Sequence, residues 1–177
     1  MELLCPYSAA EIPARLRSTD LVPRYETGQI STQAFIEQLT ALLELRVTPD
    51  EFRELWSSIF MQSTLVPESL LTGLKRNHRM LLLSNTNELH FSVVQANYQV
   101  VGHFDAFVLS HEVGAAKPSA RIYEAALAQA RCSPGECFFT DDLLPFVEGA
   151  QRAGIDAVQF KTVAQLEADL AVRGITW

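Results

Sequence analysis

The chain has 177 residues, 48% of them hydrophobic, with 14 basic and 21 acidic side chains and so a net charge of 14 − 21 = −7. That length fits one domain, or a core with a small cap, and the apolar fraction suffices for a real core. Acidity without basic runs excludes nucleic acid as a partner, because phosphate contacts need clustered Lys and Arg, and it means that an anionic substrate requires a local cation or metal ion.

Residues 1–66 read as a small helical bundle. Ser8, with Glu11 three residues on, has the pattern of a capping box. Residues 31–46 place Phe35, Ile36, Leu39, Leu42 and Leu43 on one helical face. Thr48-Pro49-Asp50-Glu51 supplies an N-cap, a proline at the first helical position and a glutamate at the third. The helix that starts there is expected to bury Phe52, Leu55, Trp56, Ile59 and Phe60 as core.

From residue 67 onward helix and strand alternate. Helices are expected near 67–77, 88–98, 119–130, 146–153 and 163–172, and strands at 80–84, 105–110, 137–141 and 156–160. The strands are short continuous apolar runs, which predicts a parallel sheet covered on both faces, a three-layer α/β core. The division predicted is a helical cap over residues 1–66 and an α/β core over 67–177. Cys5, Cys132 and Cys137 are odd in number and contain no CxxC, against a disulfide framework or a zinc site. Reduced thiols in a cytoplasmic protein are expected, with Cys137 a small core hydrophobe. The N-terminus lacks a signal-peptide pattern, and no apolar run approaches ~20 residues, so no membrane partner is expected.

Two of the strands end in residues that carry chemistry. Leu81-Leu82-Leu83 runs into Ser84-Asn85-Thr86, and Phe138-Phe139-Thr140 runs into Asp141-Asp142. Like charges about 4 Å apart repel by ~1 kcal/mol even in water, so adjacent carboxylates call for a cation. Between them in sequence, Gly114-Ala115-Ala116-Lys117-Pro118 presents one lysine on a loop ahead of a helix. Ligands of open parallel α/β sheets bind beyond the carboxyl ends of the strands. Ser84, Lys117 and Asp142 are therefore expected to converge at one edge able to hold a phosphate and a divalent cation. Each residue also has a plain structural role open to it: a loop start for the aspartates, a turn and helix cap for Ser84 and Asn85, a surface charge for Lys117. His78, His90, His103 and His111 are scattered, with surface or packing roles expected; His90 and His111 lie nearest the site in sequence.

Ser84-Asn85-Thr86-Asn87, the segment from Gly114 to Ala126, and Phe138-Phe139-Thr140-Asp141-Asp142 followed by Val147-Glu148-Gly149-Ala150 and Gly154-Ile155 together resemble the haloacid dehalogenase-like (HAD) hydrolases. The resemblance is to the helical-cap branch that includes sugar-phosphate phosphatases and the phosphatase domain of epoxide hydrolases, and it covers essentially the whole chain. It implies Mg²⁺-dependent hydrolysis of a phosphate monoester of a small phosphorylated metabolite. By position, Asp142 matches the metal-binding acid and Asp141 its catalytic neighbour. Ser84 and the Asn85 backbone N–H would hold phosphate oxygens, and Lys117 would neutralise the phosphoryl group and the acids. Mg²⁺ suits such carboxylate and phosphate oxygens, and the catalysis implied is positioning and electrostatics.

The chain departs from the family's pattern in two places. The family carries an N-terminal strand ending in Asp-x-Asp, whose first aspartate is the nucleophile; no Asp-x-Asp occurs in these residues, and Asp20 and Asp50 follow no apolar run. Four residues after the metal-binding acid the family has Asn or Asp; this chain has Phe146, which offers a lysine no acceptor atom. The expectation is weak or absent Mg²⁺ binding and no measurable turnover by the chain as given. The alternative is a non-catalytic HAD-fold protein that binds a ligand or partner. Signalling receiver domains also combine two acids, a hydroxyl and a lysine, but place the acids first. Without the family's central strand, 80–84 and 137–141 would expose unpaired edges. Direct pairing of these strands, insertion of residues 2–5, or a homodimer is expected to close the gap.

Overall fold

The computed structural model describes residues 4–60 and 63–177. The first four helices are α1 (Glu11–Arg17), α2 (Leu21–Glu26), α3 (Thr32–Leu42) and α4 (Pro49–Ser57). Ser31 caps α3 by accepting from the Ala34 amide at 3.2 Å. Thr48 and Glu51 form the expected reciprocal box at α4, at 3.3 and 2.7 Å. At α1 the Glu11 carboxylate accepts from the Ser8 amide at 2.8 Å. That contact spans the turn before the helix, which itself begins at Glu11.

The bundle closes around Phe35, which is fully buried. Tyr25 stacks on its ring at 4.1 Å, and Phe52 and Trp56 meet it edge-on at 6.1 and 4.9 Å. Leu21, Ile36, Leu39 and Leu43 complete this cluster. Leu55 and Ile59 are exposed, contrary to the burial expected of them. Phe52 and Trp56, four residues apart, share the inward face; Leu55 falls beside it and Ile59 lies past the end of α4.

The remaining chain follows the expected alternation closely: α5 (Glu68–Asn77), β1 (Leu81–Ser84), α6 (Glu88–Asn97), β2 (Ala106–Leu109), α7 (Ser110–Val113), α8 (Ala120–Ala130), β3 (Phe138–Asp141), α9 (Leu144–Arg152), β4 (Asp156–Gln159) and α10 (Val163–Val172). All pairing is parallel, as expected. β1 pairs with β2 in the register Leu81↔Ala106 to Ser84↔Leu109, and β3 with β4 from Phe138↔Asp156 to Asp141↔Gln159. The two pairs are separate sheets: among the described residues β1 and β3 share no ladder. The direct pairing of 80–84 with 137–141 is therefore not observed. Of the segment 2–5, residues 2 and 3 lie outside the described residues, while the Leu4 carbonyl accepts from Arg46 N at 2.8 Å, in the helical bundle.

Packing and side chains join the two sheets. Val108 of β2, Ile122 and Tyr123 of α8, Val147 of α9 and Ala157 of β4 form one buried cluster, on which Leu81, Leu83 and Phe139 also pack. Gly149 admits Tyr123 to this cluster, since a Cβ there would stand 2.7 Å from the tyrosine oxygen. The Tyr123 hydroxyl donates to the Phe146 carbonyl at 2.6 Å, and burial pushes its pKa up to about 12. β1 and β3 are only partly buried along their length, whereas Val108 and Leu109 of β2 are buried. No helix among the described residues is long and apolar enough to cross a membrane.

Polar contacts tie the helical bundle to the α/β part. The Tyr25 hydroxyl accepts from the Leu89 amide at 3.2 Å and bonds Thr32 at 2.9 Å, and Thr32 donates to the Glu88 carboxylate. Gly28, at φ +66°, lets its loop touch α7, because a Cβ would lie 2.1 Å from the His111 carbonyl oxygen. His90 stacks on Trp56 at 5.2 Å and donates through Nε2 to the Trp56 carbonyl at 2.9 Å. Its Nδ1 is then the acceptor for the Asn87 amide at 3.2 Å.

That arrangement holds His90 neutral, and burial pulls its pKa below the usual range. Below about 6.5 the unfolded chain takes up this proton more readily than the folded one, so the stability difference falls as pH falls. Glu26, whose pKa burial raises, acts in the opposite sense, so a variant comparison isolates the histidine. Urea unfolding measured from about pH 7 to about pH 5 should show a shallower pH slope for His90→Gln than for the parent. Equal slopes would contradict the assignment.

Candidate active site at the carboxyl ends of β1 and β3

Ser84 ends β1 and Asp141 ends β3. The loop bearing Lys117 is turned toward them by Gly114, which caps α7 in the left-handed conformation at φ +73°. The Asn85 side chain clamps this loop: its Oδ1 accepts from Lys117 N at 2.7 Å and its Nδ2 donates to Lys117 O at 3.0 Å. Ser110 braces the neighbouring turn, accepting from Thr86 N and donating to Thr86 O, both at 2.9 Å. With both ends of its backbone fixed, Lys117 sends its side chain between the two sheets.

The Lys117 ammonium donates to Asp141 Oδ2 at 2.6 Å and to the Leu83 carbonyl at 3.0 Å. The pair is sequestered, with side-chain exposures of 7% for the lysine and 10% for the aspartate. Asp141 Oδ1 accepts from the Leu143 amide at 2.9 Å, so both carboxylate oxygens are engaged. Phe146 and Phe139 present their rings to the ammonium at 5.1 and 5.7 Å. Phe146 offers the lysine no acceptor atom, as expected, but its π face attracts the cation. An ammonium has three donors, and the two hydrogen bonds leave one N–H for a ligand.

Lys117 meets Asp141, whereas the Ser84 hydroxyl and the Asp142 carboxylate, expected to converge with it, make no hydrogen bond to the ammonium among the described residues. Asp142 is exposed, and only its backbone is bound, the carbonyl accepting from Gln159 Nε2 at 2.8 Å. The Asp142 carboxylate and the Ser84 hydroxyl have no hydrogen-bond partner among the described residues. The Asn85 side chain serves the loop, which leaves its backbone N–H as the group for a ligand. His111 donates through Nδ1 to Thr86 O at 3.2 Å and His90 packs under the bundle; neither contacts the Lys117–Asp141 pair. Sequence reasoning missed Ser110. Its signal was present, a serine directly after the apolar run of β2, matching Ser84 after β1. A separate cleft of 540 Å³ between the loop at Gly28 and α7, lined by Tyr25, Glu88 and His111 among others, contains none of the site residues.

Mg²⁺ can be tested against these groups. No set of three His, Cys, Asp or Glu side chains able to hold a metal occurs among the described residues. Mg²⁺ needs only one or two carboxylates when phosphate and water complete its octahedron, and Asp142 offers one uncommitted carboxylate. The residues fit an ion that arrives with phosphate, not one bound by protein alone.

A family model for haloacid dehalogenase-like hydrolases matches residues 7–154. The chain belongs to that family. A D-ribitol-5-phosphate phosphatase of Bacteroides thetaiotaomicron is 24% identical over 164 residues, covering 89% of this chain and 80% of the relative. The crystal structure of a HAD family enzyme from the same organism, in complex with magnesium and inorganic phosphate, superposes with a TM-score of 0.75 at 27% identity, covering 86% of this chain and 80% of that one. A HAD-like family hydrolase of Porphyromonas gingivalis shares the fold, with a TM-score of 0.75 at 20% identity over 94% of this chain and 92% of its own.

The Asn85 clamp generates a test. Asn85→Ala removes both hydrogen bonds that fix the Lys117 backbone and should cost about 1–3 kcal/mol in urea unfolding. It should also speed hydrogen exchange at the Lys117 amide. An amide as protected as in the parent would show that the loop is held by something else.

Proposed function

We propose that this edge is the phosphoryl-binding part of a Mg²⁺-dependent HAD-type phosphatase site for a small phosphorylated metabolite. The reading assigns residues 1–66 as the substrate-selecting cap over a core of residues 67–177 and places the protein in the cytoplasm. The carrying observation is the sequestered Lys117–Asp141 pair at the carboxyl ends of two parallel strands, with Ser84 and Asp142, the next residues after Leu83 and Asp141, carrying side chains that have no hydrogen-bond partner among the described residues. The kinship with a phosphatase acting on a sugar-alcohol phosphate supports the substrate class.

In this reading Ser84, the Asn85 amide and the remaining N–H of Lys117 donate to phosphoryl oxygens. Asp141 positions the ammonium. Asp142 would hold the ion, which when bound supplies neutralising charge to the phosphoryl group. Covalent catalysis needs a free carboxylate aligned on phosphorus. Asp141 has both oxygens engaged, and Asp142 is assigned to the ion. The chain as given therefore binds the phosphoryl group without turning it over.

Calorimetric titration with inorganic phosphate, with and without Mg²⁺, tests this directly. Phosphate binding should strengthen with Mg²⁺ in the parent, and Asp142→Asn should abolish that Mg²⁺ effect. Ser84→Ala should weaken binding by about tenfold, the loss of one hydrogen bond to a charged group. Hydrolysis of an aryl phosphate should be undetectable. No phosphate binding would remove the proposal. Mg²⁺-dependent hydrolysis that disappears in Asp142→Ala would overturn the absence of turnover and make the chain a complete enzyme.

A further inference from the structure

Away from this site, at the opposite end of β3, two thiols face each other. Cys132 and Cys137 are both free, and their sulfurs are 3.4 Å apart. The turn between them is built rather than loose. Arg131 ends α8 in the left-handed conformation at φ 63°. The Glu136 carboxylate then accepts from the Ser133 amide at 2.9 Å and hydroxyl at 2.6 Å, and the Cys137 amide donates to Pro134 O at 3.1 Å. This holds the pair at van der Waals contact without a bond. Cys137 directly precedes β3, while Cys132 is exposed.

We propose that Cys132 and Cys137 form a reversible thiol–disulfide modification site that locks the connection between α8 and β3. A small-molecule disulfide such as oxidised glutathione is the oxidant. The exposed Cys132 thiolate attacks one of its sulfurs, forming a mixed disulfide and releasing one thiolate. Cys137 gives up its proton to solvent and attacks the Cys132 sulfur, releasing the second thiolate. Two protein thiols are oxidised, one small disulfide is reduced to two thiols, and each leaving thiolate takes up one proton. Burial raises the Cys137 pKa to about 11, and the Cys132 thiol adds to the effect, so the exposed thiol makes the first attack and the sheltered one resolves it.

The test uses the full chain with Cys5→Ser, which leaves only this pair. The protein is equilibrated in buffers of defined reduced-to-oxidised glutathione ratio, acid-quenched and analysed by intact mass and peptide mapping. The expected product is a monomer lighter than the dithiol by the mass of two hydrogens, with the bond inside the peptide spanning 132–137. The effective concentration of the pair should be at least tenfold higher in the folded protein than in guanidinium. By linkage the same tenfold, about 1.4 kcal/mol, should appear as an unfolding midpoint raised by roughly 4 °C on oxidation. Persistent glutathione adducts at Cys132, interchain dimers, or equal effective concentrations folded and unfolded would each overturn the proposal.

Discussion

The structure turns on one buried ion pair. Among the described residues two parallel sheets share an apolar cluster but no backbone ladder, and the Lys117 ammonium is a polar group that reaches both. It holds the Leu83 carbonyl at the end of one sheet and the Asp141 carboxylate at the end of the other. Desolvating two charges costs several kcal/mol per ion, and mutual attraction offsets this only when the geometry is good and the remaining donors and acceptors are filled. Here the Leu143 amide fills the second carboxylate oxygen and the faces of Phe139 and Phe146 line the ammonium, which keeps one N–H uncommitted. The same pair that spans the seam between the sheets leaves one ammonium N–H at the strand ends, so packing and the proposed phosphoryl contact rest on the same atoms.

The surroundings show how the pair is kept in place. Asn85 fixes the lysine backbone, Ser110 fixes the turn next to Asn85, and Tyr123 fixes the carbonyl of Phe146. Gly149 makes the last of these possible, because any side chain there would collide with the tyrosine ring. The side chains of Asn85, Ser110 and Tyr123 are engaged in these contacts. Ser110 and Tyr123 are buried and Asn85 partly so, and hydrogen-bonded polar groups of this kind give a site one geometry rather than several. The Tyr25, Thr32 and Glu88 contacts do the corresponding work between the helical bundle and α6.

Much of this was legible in the sequence. Short apolar runs punctuated by helical periodicity gave the four strands and their parallel pairing, and Thr48-Pro49-Asp50-Glu51 gave the start of α4. Strand ends and an intervening loop pointed to a meeting of Lys117 with an acid after β3, and the acid it meets is Asp141. The choice of Asp141 over Asp142 was not legible, because alternation along β3 sends neighbouring side chains opposite ways and the run gives no phase. Phe146 was read by what its side chain lacks, and the attraction of its ring for a cation shows only once the lysine is placed. The break between β1 and β3 was visible as unpaired edges, but its bridging by side chains depends on a three-dimensional coincidence of Leu83, Lys117 and Asp141. Leu55 and Ile59 have the composition of core and stay exposed, Leu55 because Phe52 and Trp56 fill the inward face of α4 and Ile59 because it lies past the end of that helix.

The most direct measurement of this account is a double-mutant cycle on the ion pair, with Lys117→Met, Asp141→Leu and their combination compared by urea unfolding. If the pair joins the sheets, each single change leaves a buried charge alone and costs about 3–5 kcal/mol. The double variant should then be more stable than the sum of the singles predicts by about 2 kcal/mol or more. Losses that add to within about 0.5 kcal/mol would mean that the two residues act independently, and would contradict the central claim.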